Sequence, residues 1–368
     1  MSDLAALVRA AETEAAVWDR TGLPRAMVAE AAAAGLFGVG RPERFGGDDA
    51  GAHRVGRIAE QLGAVCTSLR SLYTVQGLVA AAVDRWGTAE QRQRWLPGFT
   101  SGAVLAGLAA TEAGAGSDLS AVRTSFTDGD GCYRLSGRKL WVTFGALADV
   151  VLVVGRAPAG TLAAVVPTAQ PGVTVEPVTD QLGMRGARLA HITFDAVTVP
   201  AGDVLARPGF GLSHVIGTAL DHGRFTIAWG CLGMARACLA DAAAHARTRA
   251  QADTRLADHQ MVRAALGRSW VQVQGAQALC ARAADHRADR NPDALTVTIA
   301  AKYAAAEAAA AVSERAVQLL GAAGCAPDSR AGRFFRDAKV MQIIEGAREV
   351  AEQDIGAWVL RGDGQEHR

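Results

Sequence analysis

Residues 132–172 read CYRLSGRKLWVTFGALADVVLVVGRAPAGTLAAVVPTAQPG and lie between two regions with a helical pattern. Short runs rich in Val, Leu and Thr alternate here with turn sequences such as Ala157-Pro-Ala-Gly160 and Gln170-Pro-Gly172. Short strands separated by tight turns are typical of an antiparallel sheet or barrel, and not of βαβ units. The sequence therefore predicts a central antiparallel β domain over residues 105–211.

The regions on both sides of this β domain carry apolar residues at three- and four-residue spacing, which predicts helices. We expect an N-terminal helical domain over residues 1–104, a helical bundle over residues 212–360 and a solvated tail over residues 361–368. In the first region, Thr88 and Gln91 are expected to form a capping box for a helix that Pro97 ends.

The composition argues against several classes of partner. Lys and Arg number 38 and Asp and Glu number 37, and the two kinds are interspersed, so we expect neither a basic groove for nucleic acid nor attraction to an anionic membrane. No stretch reaches the roughly 18 uninterrupted apolar residues of a membrane span. The first residues include acidic side chains and predict an amphipathic helix and not a signal peptide.

The cysteines and the missing motifs narrow the class of protein further. The 6 cysteines are scattered and form no CxxC pair, which is typical of reduced thiols in a cytoplasmic protein. The histidines are isolated, and neither a Walker A motif nor HExxH nor GxSxG occurs. We therefore expect no metal site and no P-loop chemistry.

Two segments of the β region carry groups that suit a flat, phosphorylated ligand. The segment Ala110-Thr-Glu-Ala-Gly-Ala-Gly-Ser-Asp118 offers backbone N–H groups beside the hydroxyls of Thr111 and Ser117, although a plain Gly-rich turn is the alternative. Further on, a strand would place Trp141 and Thr143 on one face, where an indole packs on a ring and a hydroxyl bonds to a ring heteroatom. An ordinary pair of sheet residues is the alternative for these two.

A third segment near the C-terminus contains a candidate base. Glu345 follows two isoleucines and precedes Gly346, so its carboxylate has apolar neighbours beside a backbone that a substrate can approach closely. Such surroundings raise a carboxyl pKa toward neutrality and suit it to remove a proton from carbon. The alternative is a structural Glu at a helix end that pairs with a neighbouring Arg.

These segments, taken together and in this order, make the chain resemble the acyl-CoA dehydrogenase superfamily over nearly its whole length. The family's motifs recur at Thr111–Asp118, Gly137–Thr143, Val199-Pro200, Gly223-Arg224, Arg249 with Gln251, Gln318–Gly321 and Arg336–Gly346. The resemblance implies an α+β fold, mainly α, with an N-terminal helical domain, a central antiparallel β domain and a C-terminal four-helix bundle.

The resemblance also implies a cofactor and roles for individual residues. FAD is the expected cofactor, and Glu345 matches the catalytic base. The positions matching cofactor contacts are Thr111, Ser117, Trp141, Thr143, Arg249, Gln318 and Ala347, and those matching the substrate site are Arg70, Ser71, Arg224 and Gly346. Because the family's counterparts of Arg249 and Gln318 reach the FAD of a neighbouring subunit, a homodimer or homotetramer is expected.

The chain departs from the family pattern at three of these motifs, mildly at Thr111-Glu-Ala113, where the family has TEP. The family's RxQFG has become Arg249-Ala-Gln-Ala252-Asp253, so that a Phe and a Gly are missing. The family's EGT has become Glu345-Gly-Ala347, which removes a hydroxyl near the cofactor. One lost hydroxyl hydrogen bond is worth about 0.5–1.5 kcal/mol, too little to abolish binding of a large cofactor.

The segment Cys66–Gly77 points to the substrate. Arg70 and Ser71 resemble the pair by which glutaryl-CoA dehydrogenases hold a distal carboxylate, and an Arg beside a Ser offers charge-assisted bonds to a polar acyl end. An Arg on a solvated helix face is the alternative. This segment, Ala228–Gly233 and Arg336–Gly346 look closer still to the acyl-ACP dehydrogenases that make hydroxymalonyl- or methoxymalonyl-ACP extender units for polyketides.

The leading prediction is therefore a cytoplasmic, FAD-dependent acyl-thioester dehydrogenase. It would oxidise a short, polar three-carbon unit at the glyceryl-derived semialdehyde level, carried by an acyl carrier protein or by CoA, and would pass electrons to an acceptor that the sequence does not identify. A glutaryl-type or short-chain acyl-CoA dehydrogenase is the alternative enzyme. A flavin-free homologue that serves as a binding module is the alternative from another class.

Overall fold

The computed structural model describes residues 2–362, so most of the predicted tail at 361–368 lies outside the described residues. The N-terminal helices are α1 (Ser2–Thr21), α2 (Arg25–Ala33), α3 (Ala52–Val65), α4 (Thr67–Trp86) and α5 (Ala89–Ser101). The strands that follow are β1 (Ala106–Ala109), β2 (Ser125–Gly129), β3 (Cys132–Val142), β4 (Val150–Ala157), β5 (Gly160–Pro167), β6 (Val173–Pro177), β7 (Ala190–Pro200) and β8 (Val204–Leu205).

Helices return after the sheet and complete the predicted order. They are α6 (Gly217–Thr248), α7 (Gln260–Ala288), α8 (Ala294–Leu320), α9 (Arg330–Met341) and α10 (Arg348–Leu360), with a small hairpin of β9 (Ala250–Gln251) and β10 (Thr254–Arg255) after α6. The predicted fold class, helical, then β, then helical, is confirmed.

The capping box at the start of α5 is present, whereas the predicted end of that helix is wrong. The Thr88 side chain accepts from the Gln91 N–H at 3.2 Å, and the Gln91 side chain accepts from the Thr88 N–H at 2.8 Å. The helix continues past Pro97 to Ser101. A proline removes only one backbone donor, and the burial of Leu96 and Phe99 on its two sides holds the last turn in place.

The sheet has the strand order β6-β7-β3-β2-β4-β5-β8, with β1 beside β4. Its hairpins are antiparallel, as predicted, but β1 runs parallel to β4 and β2 touches β4 in parallel at one residue pair. The register of β3 against β7 shifts between Lys139 and Val142, which marks a bulge at Leu140–Trp141. This irregularity lies at one of the predicted cofactor positions.

Helices α6 and α8 form the centre of the C-terminal bundle, and both are apolar enough to resemble membrane spans. The stretches Gly211–Thr248 and Ala294–Cys325 meet the length and hydropathy of a span, but 67% and 56% of their most apolar windows are buried inside the protein. Helix α6 packs on α3, α4 and α8 at once. The apolar residues of these two helices therefore form the core that positions the site.

Candidate active site

Glu345 lies in the turn between α9 and α10, and not at the end of a helix. Its φ is 55° and that of Gly346 is 96°, so two successive residues adopt the left-handed conformation. A non-glycine residue in this region is uncommon and is held there by its surroundings. The turn places the Glu345 carboxylate against α6, where an added Cβ on Gly223 would lie 2.6 Å from Oε2.

The carboxylate of Glu345 is enclosed without being neutralised. Its Oε2 is buried and has no hydrogen-bond partner among the described residues. Burial raises the pKa of Glu345 to about 7, against the opposing effect of the nearby charges of Arg224, Lys302 and Arg70. A carboxyl with such a pKa is a candidate general base near neutral pH.

Two cations bind the backbone of this turn instead of the carboxylate. The Nε of Arg224 donates to the carbonyl oxygen of Glu345 at 2.9 Å. The Nζ of Lys302 donates to the carbonyl oxygen of Gly346 at 2.7 Å. A small cavity lies beside the turn and is lined by Arg224, Ile299, Lys302, Glu345, Gly346, Val350, Ala351 and Asp354.

Arg70 is on the buried side of α4, so the alternative of a solvated helix face is excluded. Only 2% of Arg70 is exposed, and its guanidinium donates to Thr74 Oγ1 at 3.2 Å and to Met341 Sδ at 2.9 Å. No carboxylate of the described residues forms an ion pair with it. The neighbouring Ser71 Oγ is buried and unpartnered.

A hydroxyl pair connects Arg70 to the helix that carries Arg224. Thr74 Oγ1 and Thr226 Oγ1 are 3.0 Å apart, and the Thr226 hydroxyl donates to the carbonyl of Gly223 at 3.1 Å. The interior between α4 and α6 is therefore polar at the level of Glu345. A saturated fatty chain would leave the buried Ser71 hydroxyl, which has no partner among the described residues, unsatisfied, and this is unfavourable.

Trp141 and Thr143 lie at the end of β3, but the prediction that both belong to a regular strand is wrong. Trp141 has a φ of 58° at the bulge, and Thr143 lies beyond the last strand residue, Val142. Simple alternation of faces therefore does not apply to them. The Trp141 indole is 51% exposed and meets the His191 ring edge-on at 5.3 Å.

The Gly-rich loop at Thr111–Asp118 is fixed to β3 by a buried ion pair that the sequence reasoning missed. Lys139 Nζ lies 2.7 Å from Glu112 Oε1 and donates to the Ala110 carbonyl at 2.9 Å. The Glu112 carboxylate also accepts from the backbone N–H groups of Arg123 and Thr124, at 2.6 and 3.0 Å. These bonds outweigh burial, which opposes ionisation, and lower the pKa of Glu112 to about 2.

The same loop is tied to the strand that carries Trp141. The N–H of Leu140 donates to the Thr111 carbonyl at 2.8 Å. Ser117 is exposed, and added Cβ atoms at Gly114 and Gly116 would meet nothing within 4 Å. An exposed indole beside an open loop rich in N–H groups fits a flat ring system with an attached phosphate chain, as in FAD.

Residues 183–188 join this part of the β domain to the helices around Glu345. The Phe144 N–H, directly after Thr143, donates to the Ala187 carbonyl at 2.9 Å. The Met184 N–H donates to Asp337 on α9 at 2.6 Å. Gly186 packs on Ser68 of α4, where an added Cβ would lie 2.9 Å from the hydroxyl.

Of the remaining predicted cofactor residues, one lies beside the Glu345 turn and two lie near a distant cavity. Ala347 follows the Glu345 turn and precedes α10. Arg249 directly follows the last residue of α6 and lines an open cavity of about 520 Å³ together with Gln251 and 319–323. Gln318, exposed near the end of α8, precedes that second group.

The structure therefore forms three groups from the predicted residues. Glu345, Gly346, Arg224 and Arg70 interact at the first, between the helices. The second lies at the end of β3 with Trp141, Thr143, Thr111 and Ser117, and the third at the far end of the bundle with Arg249 and Gln318. Sequence reasoning missed Lys302, Thr74 and Thr226, because an isolated Lys or Thr in an Ala-rich helix gives no local signal. Glu112 and Lys139 are both within motifs quoted from the sequence, but sequence reasoning assigned a role to neither.

Comparison with known proteins identifies the family. The models of the N-terminal, middle and C-terminal domains of acyl-CoA dehydrogenases match residues 5–103, 107–197 and 209–360. The mitochondrial short-chain specific acyl-CoA dehydrogenase of Mus musculus is 31% identical over 94% of this chain and 85% of its own length. The chain belongs to the acyl-CoA dehydrogenase family, whose members are FAD-dependent oxidoreductases, so the predicted enzyme class and cofactor are confirmed.

Solved structures give more specific likenesses within the family. FkbI, a protein for biosynthesis of the methoxymalonyl extender unit of the Fk520 polyketide, is 39% identical to this chain with a TM-score of 0.91. The match covers 97% of this chain and 99% of FkbI. Glutaryl-CoA dehydrogenase of Mycobacterium smegmatis is 28% identical with a TM-score of 0.93. The match covers 99% of this chain and 94% of that dehydrogenase. Both alternatives for the substrate are therefore represented among the relatives.

Proposed function

We propose that this protein oxidises a short, oxygen-rich acyl group held as a thioester on an acyl carrier protein, and thereby supplies a hydroxymalonyl- or methoxymalonyl-type extender unit for polyketide synthesis. The observation that carries the proposal is the buried Arg70, which lies near Glu345 and forms no ion pair with a carboxylate of the described residues. A buried, unpaired guanidinium is unfavourable unless a ligand supplies the missing acceptors. The likeness to FkbI supports the same assignment.

The residues around Arg70 favour a polar acyl group over a hydrocarbon chain. Ser71 Oγ is unpartnered, and Thr74 and Thr226 add hydroxyls on the facing helices. A three-carbon unit with several oxygens can bond to the Ser71 hydroxyl and to the Arg70 guanidinium, whereas a saturated chain cannot. A glutaryl-type dicarboxylate uses the same guanidinium, so it is the second candidate that this observation favours.

In the proposed reaction, Glu345 takes the proton and the surrounding residues keep its carboxylate available. For a thioester, Glu345 removes the proton from the α-carbon; for a hydrated aldehyde, it removes the proton of a hydrate hydroxyl. FAD, when bound, supplies the acceptor for the hydride. Trp141, Thr143, Thr111 and Ser117 would hold the cofactor on the β domain.

The proposed oligomer, location and electron acceptor follow from the family and from the third group of residues, at the open cavity. Arg249 and Gln318 would reach the cofactor of a neighbouring subunit, so we propose a homodimer or homotetramer. We also propose a cytoplasmic location and an electron acceptor that reoxidises the flavin.

The proposal is tested by the loss of flavin absorbance when the oxidised enzyme meets single substrates without oxygen. The panel contains glyceryl-derived acyl-ACPs at the semialdehyde level, the matching CoA thioesters, glutaryl-CoA and butyryl-CoA. The acyl-ACP should reduce the flavin fastest. A faster reaction with butyryl-CoA would contradict the proposal, and a faster reaction with glutaryl-CoA would favour the second candidate.

Arg70→Met provides the matched test of the anchor, because Met fills similar space without charge. A hydrogen bond to a charged group is worth about 1.5–3 kcal/mol, so polar substrates should react about 10- to 100-fold more slowly. Butyryl-CoA should be affected far less. An equal loss on all substrates would show that Arg70 supports the fold and does not select the acyl group.

A further inference from the structure

Lys302 lies in the first half of α8 and is almost fully buried, with 3% of the residue exposed. No carboxylate of the described residues forms an ion pair with it. Its Nζ instead donates to the carbonyl oxygen of Gly346 at 2.7 Å. A buried lysine that bonds only to the backbone beside the candidate base requires an explanation, because burial of an unpaired charge is unfavourable.

Lys302 and Arg224 together bind two consecutive carbonyl groups of the left-handed turn. Arg224 holds the carbonyl of Glu345 and Lys302 holds that of Gly346, from helices on two sides. A left-handed Glu is held only where the surrounding structure compensates its strain. The two cations supply that compensation, and neither donates to the buried Oε2 of Glu345.

We propose that Lys302 is a positioning residue for the reaction: together with Arg224 it clamps the Glu345–Gly346 turn, so that the carboxylate is held close to positive charge with its proton-accepting oxygen unbonded. This inference rests on the proposed function of Glu345 as the base. It assigns to Lys302 both a geometric effect, through the carbonyl of Gly346, and an electrostatic effect, through its charge.

The charges around the turn determine the sign of the electrostatic effect. Glu345 faces Arg70 from α4, Arg224 from α6 and Lys302 from α8, and Asp354 of α10 lines the same cavity. Lys302 itself also faces Cys231 of α6 and Glu307 of its own helix.

Burial lowers the pKa of Lys302 to about 8 and raises that of Glu345 to about 7. Between these values both groups are charged. Because the lysine charge favours the ionised carboxylate, removal of that charge raises the pKa of Glu345 further. The fall of activity on the acid side then begins at a higher pH.

Two substitutions separate the two effects. Lys302→Gln retains a donor for the Gly346 carbonyl but removes the charge, whereas Lys302→Met removes both. Lys339→Met is the matched control, because Lys339 is an exposed lysine on neighbouring α9. The readouts are the FAD content of the purified holoenzyme and the rate of flavin reduction by its best substrate between pH 5.5 and 9.

Lys302→Gln should shift the acid limb of the rate profile upward by at least about half a pH unit and keep most of the rate above that limb. Lys302→Met should show the shift and also lose about tenfold or more in rate at every pH. The control should follow the unmodified protein. A profile that does not shift in a fully FAD-loaded Lys302→Gln variant would overturn the inference, even if Lys302→Met fails to fold.

Glu345→Gln, measured in parallel, separates this inference from the proposed function. If Glu345→Gln keeps near-normal flavin reduction, the assignment of the base fails. If Glu345→Gln is inactive while both Lys302 variants behave as the unmodified protein, only the positioning role of Lys302 fails.

Discussion

Glu112 in the β domain and Glu345 in the helical region are both enclosed carboxylates with a buried lysine nearby, yet their pKa values move in opposite directions. Lys139 and two backbone N–H groups donate directly to Glu112, and its pKa falls to about 2 despite burial. Lys302 donates to the backbone carbonyl of Gly346 and not to the Glu345 carboxylate. Burial raises the pKa of Glu345 to about 7.

The direction of the donors therefore decides whether a buried carboxylate is structural or reactive. Donors that point at the carboxylate stabilise its charge and use its lone pairs, as at Glu112. Donors that point at the adjacent backbone fix the residue but leave its oxygens open, as at Glu345. The first arrangement holds the Gly-rich loop in place, and the second provides a base.

The largest expected effect is on catalysis and follows from removal of the Glu345 carboxylate. Glu345→Gln should slow flavin reduction by the best substrate by about 10²- to 10⁴-fold, because general-base catalysis contributes on that order. FAD binding should be retained, since the substitution leaves the β domain unchanged. The measurement is stopped-flow absorbance together with the flavin spectrum. Near-normal reduction would show that another group removes the proton.

The next largest expected effect is on stability and follows from removal of Lys139, the ion-pair partner of Glu112. Lys139→Met leaves Glu112 buried without its counterion, and loss of one partner of a buried pair destabilises a protein by about 3–5 kcal/mol. The unfolding temperature should fall clearly and FAD should bind more weakly. The double variant Lys139→Met with Glu112→Leu should recover part of the loss. If it recovers nothing, the pair does not act as a unit.

Glu345 and Glu112 should also change the stability of the protein with pH in opposite directions. The folded-state pKa of Glu345 is raised from 4.5 to about 7, so folding favours its protonated form and the associated stability is lost as the pH rises through 7. Glu345→Gln should therefore stabilise the holoenzyme at pH 8 by at most about 3 kcal/mol and have little effect at pH 4.

Unfolding temperatures at the two pH values measure this difference. Glu112 behaves in the opposite way, because its lowered pKa gives stability that is present above about pH 4.5 and lost as the pH falls toward 2. Glu112→Gln should therefore destabilise the protein at pH 8. A gain at pH 8 with Glu112→Gln, or none with Glu345→Gln, would contradict the assignment.

The smallest expected effect concerns the space beside the base. Gly223→Ala would place a Cβ 2.6 Å from Glu345 Oε2, so the carboxylate must move. We expect about a tenfold loss of flavin reduction with little change in stability, since Ala suits a helix better than Gly does. Gly275→Ala, where an added Cβ meets nothing within 4 Å, is the control. Equal activities of the two variants would show that the space is not needed.

Much of the architecture could be predicted from local patterns, whereas the errors have causes in the tertiary structure. The Thr88 capping box depends on four neighbouring residues and was predictable. Pro97 was expected to end a helix, but the burial of its neighbours overrides one lost hydrogen bond. Trp141 and Thr143 were expected on one strand face, whereas a bulge in the pairing of β3 with β7 breaks the alternation.

By itself, the sequence determined the order of helical and β regions, the family, the cofactor and the candidate base, because periodicity and ordered motifs are properties of the chain alone. Tertiary structure decided that the donors of Lys302 and Arg224 meet carbonyl groups and that those of Lys139 meet a carboxylate. The contact between Lys302 and Gly346 spans 44 residues. The direction of a donor across such a distance depends on helix packing, so no local pattern encodes it.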